Sequence, residues 1–162
     1  MQRILQKLYD SLTRNDPVQN VDLIFVMAGR MDRKPYGLEL YRARTASRLI
    51  LSVGRFEVSK IKRLQLPIFD ELILLRDQTA PHERHFFIEM NGSGCHVHKV
   101  KLPRWNTFGE ALAFRTFVSG QNLQRVMIIS TDIHLHRTAL VFGKVFRNTP
   151  LHFVYCAVPS AQ

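Results

Sequence analysis

The chain has 162 residues, of which 46% are hydrophobic and 10% aromatic, and its 23 Lys and Arg outnumber its 13 Asp and Glu to give a formal net charge of +10. This composition predicts one domain with a sizeable core and excludes a disordered or fibrous chain. No apolar run approaches the roughly 18 residues of a membrane-spanning helix, and the first residues lack the apolar stretch of a signal peptide, so we expect a cytoplasmic protein without a membrane segment.

The predicted elements of the first half alternate between helix and strand. Apolar residues at helical spacing predict an N-terminal helix within residues 1–16, before the core at 21–158. A buried strand follows at 21–28, a helix at 35–46, a second buried strand at 48–53 and a helix at 57–64. This order favours a parallel sheet with helical crossovers.

The middle of the chain interrupts the alternation. Residues 68–76 fit either a helix or a strand, and two alternating segments around Asn91-Gly92-Ser93-Gly94 predict a β-hairpin within 85–102, as an insertion or at a sheet edge. Regular alternation then returns with a helix, a strand, a helix and a strand, at 107–118, 125–130, 133–146 and 151–158. We therefore predict a single α/β domain with a mostly parallel sheet.

Basic residues are concentrated at the two ends of the chain. Residues 1–66 carry 13 basic and 6 acidic side chains, whereas residues 67–105 carry 5 of each. A basic balance favours an anionic partner, either a small phosphorylated molecule, a nucleic acid or an acidic protein surface.

Small and anion-binding residues follow each predicted strand. In a parallel sheet, ligands bind beyond the carboxyl ends of the strands, where glycines and helix N-termini bring backbone N–H groups close to an anion. We therefore expect an anion cradle from the residues at these ends, which are Gly29, Arg30, Arg33, Ser52, Gly54, Ser130 and Thr131.

The segment after residue 130 is the densest in chemically active groups. His134 and Arg137 are three residues apart, so they share one face of the predicted helix. A neutral His134 is then the candidate general acid or base, and Arg137 the group that pairs with an anion. The alternative interpretation is structural, with Thr131 capping the helix and His134 packing.

The start of the helix at 107–118 carries three further candidates for ligand binding: Asn106, Thr107 and Glu110. Thr107 and Glu110 have the spacing of a capping box, which explains both without a ligand. Asn106 lies one position earlier and could face a ligand above the sheet, where Trp105 could form a stacking surface or an apolar lid.

No metal site is predicted. Alternation along a strand puts His96 and His98 on one face and Cys95 on the other. The P-loop, G-x-G-x-x-G, G-x-S-x-G and H-E-x-x-H motifs are missing from the sequence. The basic segment 60–63 is typical of a solvated helix face.

These motifs, in this order, are similar to those of a bacterial family of unknown function, the SanA/ElyC/YdcF type. The resemblance spans about residues 21–158, and its most specific parts are the Asn-Thr helix start and the final Ser/Thr-rich motif with His and Arg. The matching residues are Ala28-Gly29, Arg33, Leu40-Tyr41, Ser52-Val53-Gly54, Asn106-Thr107 and the run Ser130-Thr131-Asp132-Ile133-His134-Leu135-His136-Arg137-Thr138.

The resemblance implies a three-layer α/β/α Rossmann-like fold with the polar residues together above the sheet. It also implies a ligand of the nucleotide or S-adenosylmethionine type, because one member is associated with the latter. Val53 and Gly109 stand where the family has glycine and glutamate. These two departures support the view that the chain is an inactive scaffold.

Three functions follow from the sequence. The first is a small-molecule site for an anionic ligand, in a transferase or hydrolase with His134 as acid or base. The second is a non-catalytic basic module for nucleic acid or an acidic protein, which would depend on Arg42, Arg44, Lys60, Lys62 and Arg63. The third is the scaffold.

Overall fold

The fold is a six-stranded sheet covered by helices on both faces. In the computed structural model, residues 2–5 and 14–160 are described. The strands are β1 (Leu23–Val26), β2 (Arg48–Gly54), β3 (His85–Asn91), β4 (Gly94–Lys99), β5 (Arg125–Ser130) and β6 (His152–Ala157). The α-helices are α1 (Arg33–Arg42), α2 (Phe69–Asp77), α3 (Thr107–Val118) and α4 (Asp132–Val145), and short 3₁₀ segments cover Val58–Leu64 and Pro81–Glu83.

The strand order is β4-β3-β2-β1-β5-β6, in which only β3 runs against the others. The pairs β1–β2, β1–β5 and β5–β6 are parallel, and the predicted hairpin forms the β4 edge through two antiparallel pairings. Because β3 is reversed, its first residue, His85, lies beside Gly54 at the end of β2. The carboxyl ends of β1, β2 and β5 and the amino end of β3 therefore share one edge.

The core consists of two layers, one on each face of the sheet. Side chains alternate across a strand, so Ile24 and Val26 join the layer under α1 while Leu23 and Phe25 join the layer under α3 and α4. On the second face the ring of Phe25 lies 4.3 Å from that of Phe114, between ring centroids. This is the predicted three-layer α/β/α arrangement with a mostly parallel sheet.

Helix α1 ends earlier than the predicted 35–46. Arg44 adopts a left-handed backbone with a φ of 62°, and the Thr45 N–H donates to the Leu40 carbonyl. This is the Schellman arrangement that ends a helix. The sequence does not signal it, because the left-handed residue is an arginine and not the usual glycine.

The predicted helix at 57–64 is a 3₁₀ segment at Val58–Leu64. Val58 and Ile61 are fully buried and Leu64 packs beside the same core. Their three-residue spacing matches the three residues per turn of a 3₁₀ helix and places all three side chains in one row. Residues 68–76, which the sequence left open, form helix α2.

The predicted N-terminal helix lies mostly outside the described residues. Residues 2–5 are helical, and residues 14–21 have no helix. The Asp16 N–H donates to the Tyr155 carbonyl, which attaches this segment to β6. Within the described residues, no helix is both long and apolar enough to cross a membrane.

Candidate functional site

Two adjoining clefts open at the shared edge of the sheet. The larger encloses about 420 Å³ and the smaller about 110 Å³. Ala28, Thr107 and Glu110 line both clefts and therefore form the boundary between them. The larger cleft extends toward β3 and Trp105, and the smaller extends toward the start of α4.

Two arginines line the smaller cleft, and one has a nitrogen without a hydrogen-bond partner. Arg33 is only 5% exposed, and its Nη1 donates to the Ala28 carbonyl, yet its buried Nε has no hydrogen-bond partner. Arg137 is exposed, with its Nη2 at 3.5 Å from His134 Nδ1. Among residues 2–5 and 14–160, no carboxylate lies within ion-pair distance of either arginine. Burial lowers the pKa of Arg33, and the charge of Glu110 is the largest effect in the opposite direction.

His134 is neutral at neutral pH in this setting. Partial burial lowers the pKa of its imidazole, and the positive charges of Arg33, Arg137 and Arg30 lower it further, against the opposing effect of Asp132. A neutral imidazole can accept or donate a hydrogen bond, as the expected acid or base role requires.

The wall of the larger cleft is aromatic. Phe56 is 76% exposed and Trp105 51% exposed, and both line the cleft. The Arg55 guanidinium carbon lies 4.5 Å from the Phe56 ring centroid and 5.5 Å from the Trp105 ring centroid. Exposed aromatic faces beside a cation are typical of surfaces on which flat rings stack.

The floor of the larger cleft holds a buried ion pair. Lys34 is fully buried, and its Nζ donates to Glu57 Oε2 at 2.6 Å. Burial lowers the pKa of Lys34, but the carboxylate of Glu57 opposes this effect. The other carboxylate oxygen of Glu57 accepts a hydrogen bond from the Gly29 N–H. This ion pair connects α1, the 3₁₀ segment and the end of β1.

Glu110 is buried behind both clefts. Its Oε1 accepts a hydrogen bond from the Ala28 N–H at 2.8 Å. Burial raises the pKa of Glu110, while Ser52, Ala28 and Lys34 act in the opposite direction.

The capping-box interpretation of Thr107 and Glu110 is wrong. Asn106 is the N-cap of α3, and its Oδ1 accepts from the Gly109 N–H at 2.9 Å. The N-cap is therefore one residue earlier than the capping box predicts, and Thr107 is the first residue of the helix. The carboxylate of Glu110 is left to bind the end of β1.

The anion cradle expected after β1 is already filled. The N–H groups of Ala28 and Gly29 point to the carboxylates of Glu110 and Glu57, so two side chains of the protein occupy the positions of an anionic ligand. Gly29 has a φ of 119°, a conformation that favours glycine and turns its N–H toward Glu57. The unpaired cations lie instead in the smaller cleft.

The structure brings most of the predicted ligand residues to the two clefts. The larger cleft is lined by Gly29, Gly54 and Asn106, the smaller by Arg33, Ser130, His134 and Arg137, and both by Thr107 and Glu110. Three predicted residues line neither cleft. Arg30 is exposed and pairs with Asp32 at 3.3 Å, Ser52 is buried behind His85, and Thr131 is the N-cap of α4 without a side-chain capping bond.

Sequence reasoning missed three buried residues of the site: Lys34, Glu57 and His85. His85 reaches this edge because β3 is reversed, and Lys34 of α1 pairs with Glu57, which precedes the 3₁₀ segment. His85 is 3% exposed and lines the larger cleft. The predicted hairpin could have indicated that His85 lies at one end of the sheet, because its first strand starts there. However, no pattern indicated which strand the hairpin joins.

The two departures from the family pattern have local structural causes. A Cβ on Gly109 would lie 1.8 Å from the Arg104 carbonyl oxygen, so the loop before α3 leaves no room for a side chain. Val53 is fully buried in the core under α1 and lines neither cleft. Both residues therefore have packing roles in this chain, and neither lines the smaller cleft.

Other features named by the sequence lie away from this edge. Within the described residues, no three His, Cys, Asp or Glu side chains are close enough to hold a metal ion. Lys60, Lys62 and Arg63 are exposed on the 3₁₀ segment. Comparison with protein-family models, with curated proteins and with solved structures found no match to the chain.

Proposed function

We propose that the protein binds a small, phosphate-bearing ligand of the nucleotide type across the two clefts. The phosphate occupies the smaller cleft and the flat ring lies against Trp105 in the larger. The observation that carries the proposal is Arg33, which lines the smaller cleft, is almost completely buried and has an Nε without a hydrogen-bond partner.

A phosphate satisfies the groups in the smaller cleft. An unpartnered buried N–H is costly, and a charged acceptor removes that cost. Arg137 and Ser130 line the same space, and their side chains add hydrogen-bond donors and a positive charge. A volume of about 110 Å³ exceeds the roughly 30 Å³ of one water and has room for a phosphate group.

The larger cleft suits the rest of such a ligand. Its volume of about 420 Å³ is within the range of small-molecule sites, and its exposed aromatic residues offer a stacking face. The clefts adjoin at Thr107, so one molecule can extend from the ring site to the phosphate site.

We also propose that the chain is a divergent member of the SanA/ElyC/YdcF-type family. The order of the quoted motifs supports this, as does the three-layer fold that the resemblance implies. The resemblance adds S-adenosylmethionine to the ligands to be tested. The transferase or hydrolase reaction, with His134 as acid or base, stays a prediction.

Isothermal titration of the purified protein with inorganic phosphate and adenosine 5′-monophosphate tests the proposal. We expect both to bind, and Arg137→Ala to weaken both by about 10- to 100-fold, because charge-assisted hydrogen bonds contribute roughly 1.5–3 kcal/mol. Arg42→Ala is the matched control: it removes an exposed arginine at the far end of α1 and should leave both affinities unchanged.

Two results would contradict the proposal. One is a lack of binding by inorganic phosphate, adenosine 5′-monophosphate and S-adenosylmethionine at low ionic strength. The other is oligonucleotide binding that falls steeply with salt and is lost when Lys60, Lys62 and Arg63 become alanine but not in Arg137→Ala. That pattern would favour the basic binding module.

A further inference from the structure

His85 carries an unused hydrogen-bonding atom at the wall of the larger cleft. Its Nε2 lies 2.7 Å from Ser52 Oγ. The residue is only 3% exposed and lines the cleft, and its buried Nδ1 has no hydrogen-bond partner. Buried polar atoms in native proteins are nearly always paired. An unpaired one in a residue that lines a cleft is a candidate position for a ligand atom that completes the bond.

The neighbours of His85 determine which ring nitrogen carries the proton. The Ser52 hydroxyl has one proton, and Ser52 lies close enough to Glu110 to lower the pKa of that carboxyl. We assign this proton to the Glu110 carboxylate, so that Ser52 Oγ accepts a hydrogen bond from His85 Nε2. Glu110 is itself held by the Ala28 N–H at 2.8 Å. The chain from Glu110 through Ser52 therefore leaves Nδ1 as a bare acceptor.

His85 keeps this form at neutral pH. Burial lowers the pKa of its imidazole to about 4, and the nearby ammonium of Lys34 contributes to the decrease. The Trp105 ring lies 6.1 Å from the imidazole ring, between centroids, so His85 adjoins the aromatic wall proposed for the ligand ring.

We propose that His85 Nδ1 accepts a hydrogen bond from an N–H group on the ligand ring, with Ser52 and Glu110 as positioning residues that fix its tautomer. This inference rests on the proposed function and narrows its ligand class. The ring is a nucleobase-like ring with an amino group at its edge. Rings that offer only acceptors leave Nδ1 unpaired and bind more weakly.

Two matched pairs of nucleotides test the ligand class. Adenosine 5′-monophosphate is compared with purine riboside 5′-monophosphate, and cytidine 5′-monophosphate with the pyrimidin-2-one analogue, each pair differing by one amino group. We expect at least one aminated member to bind about tenfold more tightly than its partner, since an unpaired buried acceptor loses a full hydrogen bond. Equal affinities within both pairs would overturn the inference.

The tautomer is measured independently of any ligand. In protein labelled with ¹⁵N-histidine, long-range ¹H–¹⁵N spectra at pH 7 should show a protonated Nε2 and an unprotonated Nδ1 for His85, assigned with His85→Gln. Ser52→Ala should remove this preference. A protonated Nδ1 in the wild-type protein would overturn the inference even if His85→Gln does not fold.

Failure of the inference is distinguishable from failure of the proposed function. Inorganic phosphate tests the smaller cleft alone, and its binding should be unchanged by His85→Gln. The nucleosides adenosine and purine riboside test the larger cleft alone. Phosphate binding without discrimination between the members of either pair refutes the role of His85 only.

Discussion

The two clefts contain similar residue types but use them differently. In the larger cleft the buried charges bind one another: Lys34 pairs with Glu57, and the carboxylates of Glu57 and Glu110 accept the backbone N–H groups at the end of β1. In the smaller cleft Arg33 keeps an unpartnered Nε and Arg137 lacks a carboxylate partner within the described part of the chain. Charged residues near a cleft thus indicate ligand binding only where their own chain does not satisfy them.

The largest effect should come from breaking the buried ion pair. Glu57→Ala leaves the ammonium of Lys34 buried without its carboxylate, and we expect the free energy of unfolding to fall by about 3–5 kcal/mol. Glu83→Ala is the control, because its exposed pair with Lys99 at 3.5 Å contributes roughly 0–1 kcal/mol. Urea unfolding measures both, and equal losses would contradict the structural role of the floor.

The next effect is a dependence of stability on pH through His85. The pKa of this histidine is about 4 in the folded protein, against an ordinary value of 6.5 that applies to the unfolded chain. Between these values the unfolded state binds more protons, so stability is fully present above pH 6.5 and decreases as the pH falls toward 4. The expected loss is about 3 kcal/mol, from roughly 1.4 kcal/mol per pKa unit.

Urea unfolding of wild-type protein and His85→Gln at several pH values isolates this contribution. Glutamine does not titrate, so the difference in unfolding free energy between the two proteins should change by that amount across the same pH interval. A constant difference would mean that His85 is not held neutral by burial and Lys34.

A smaller effect on stability distinguishes glycine substitutions in two helices, at Gly109 in α3 and at Gly143 in α4. Gly109→Ala places a Cβ against the Arg104 backbone, and we expect a loss of about 1–3 kcal/mol from overpacking. Gly143 in α4 has open space around it, so Gly143→Ala should stabilise the protein by up to about 1 kcal/mol. Thermal unfolding of the two variants compares them, and a neutral Gly109→Ala would indicate a looser loop.

The smallest effect concerns which cleft holds which part of the ligand. Trp105→Ala removes a stacking face that contributes roughly 1–3 kcal/mol per base. Affinity for adenosine 5′-monophosphate should therefore fall by about tenfold or more, whereas affinity for inorganic phosphate should not change. Titration calorimetry measures both affinities. An equal loss for both ligands would mean that the clefts do not divide the ligand as proposed.

Much of the fold could be predicted from local patterns. Strands β2 and β5 and helix α3 agree with their predicted ranges within one residue because continuous apolar runs and clear helical spacing mark them. Helix α1 was predicted too long, because Arg44 takes a backbone conformation that its residue type does not signal.

The site was predictable only where its residues follow parallel strands. These residues lie together because β1 and β5 are parallel neighbours; the alternation of elements predicted the parallel sheet but not this strand order. They are Arg33, Ser130, His134 and Arg137. His85 could not be placed, since its position depends on the antiparallel pairing of β3 with β2. The occupation of the expected anion cradle by Glu57 and Glu110 could not be predicted either, because these carboxylates accept hydrogen bonds from residues far away in the sequence.

The central claim is that the smaller cleft binds a phosphate through Arg33. The most direct measurement is the ¹H–¹⁵N signal of Arg33 Nε–H during titration with inorganic phosphate, assigned with Arg33→Lys. Our account predicts that this signal shifts saturably in the wild-type protein and requires about 10- to 100-fold more phosphate in Arg137→Ala. A signal that stays in place while phosphate is raised to saturating concentrations would contradict it.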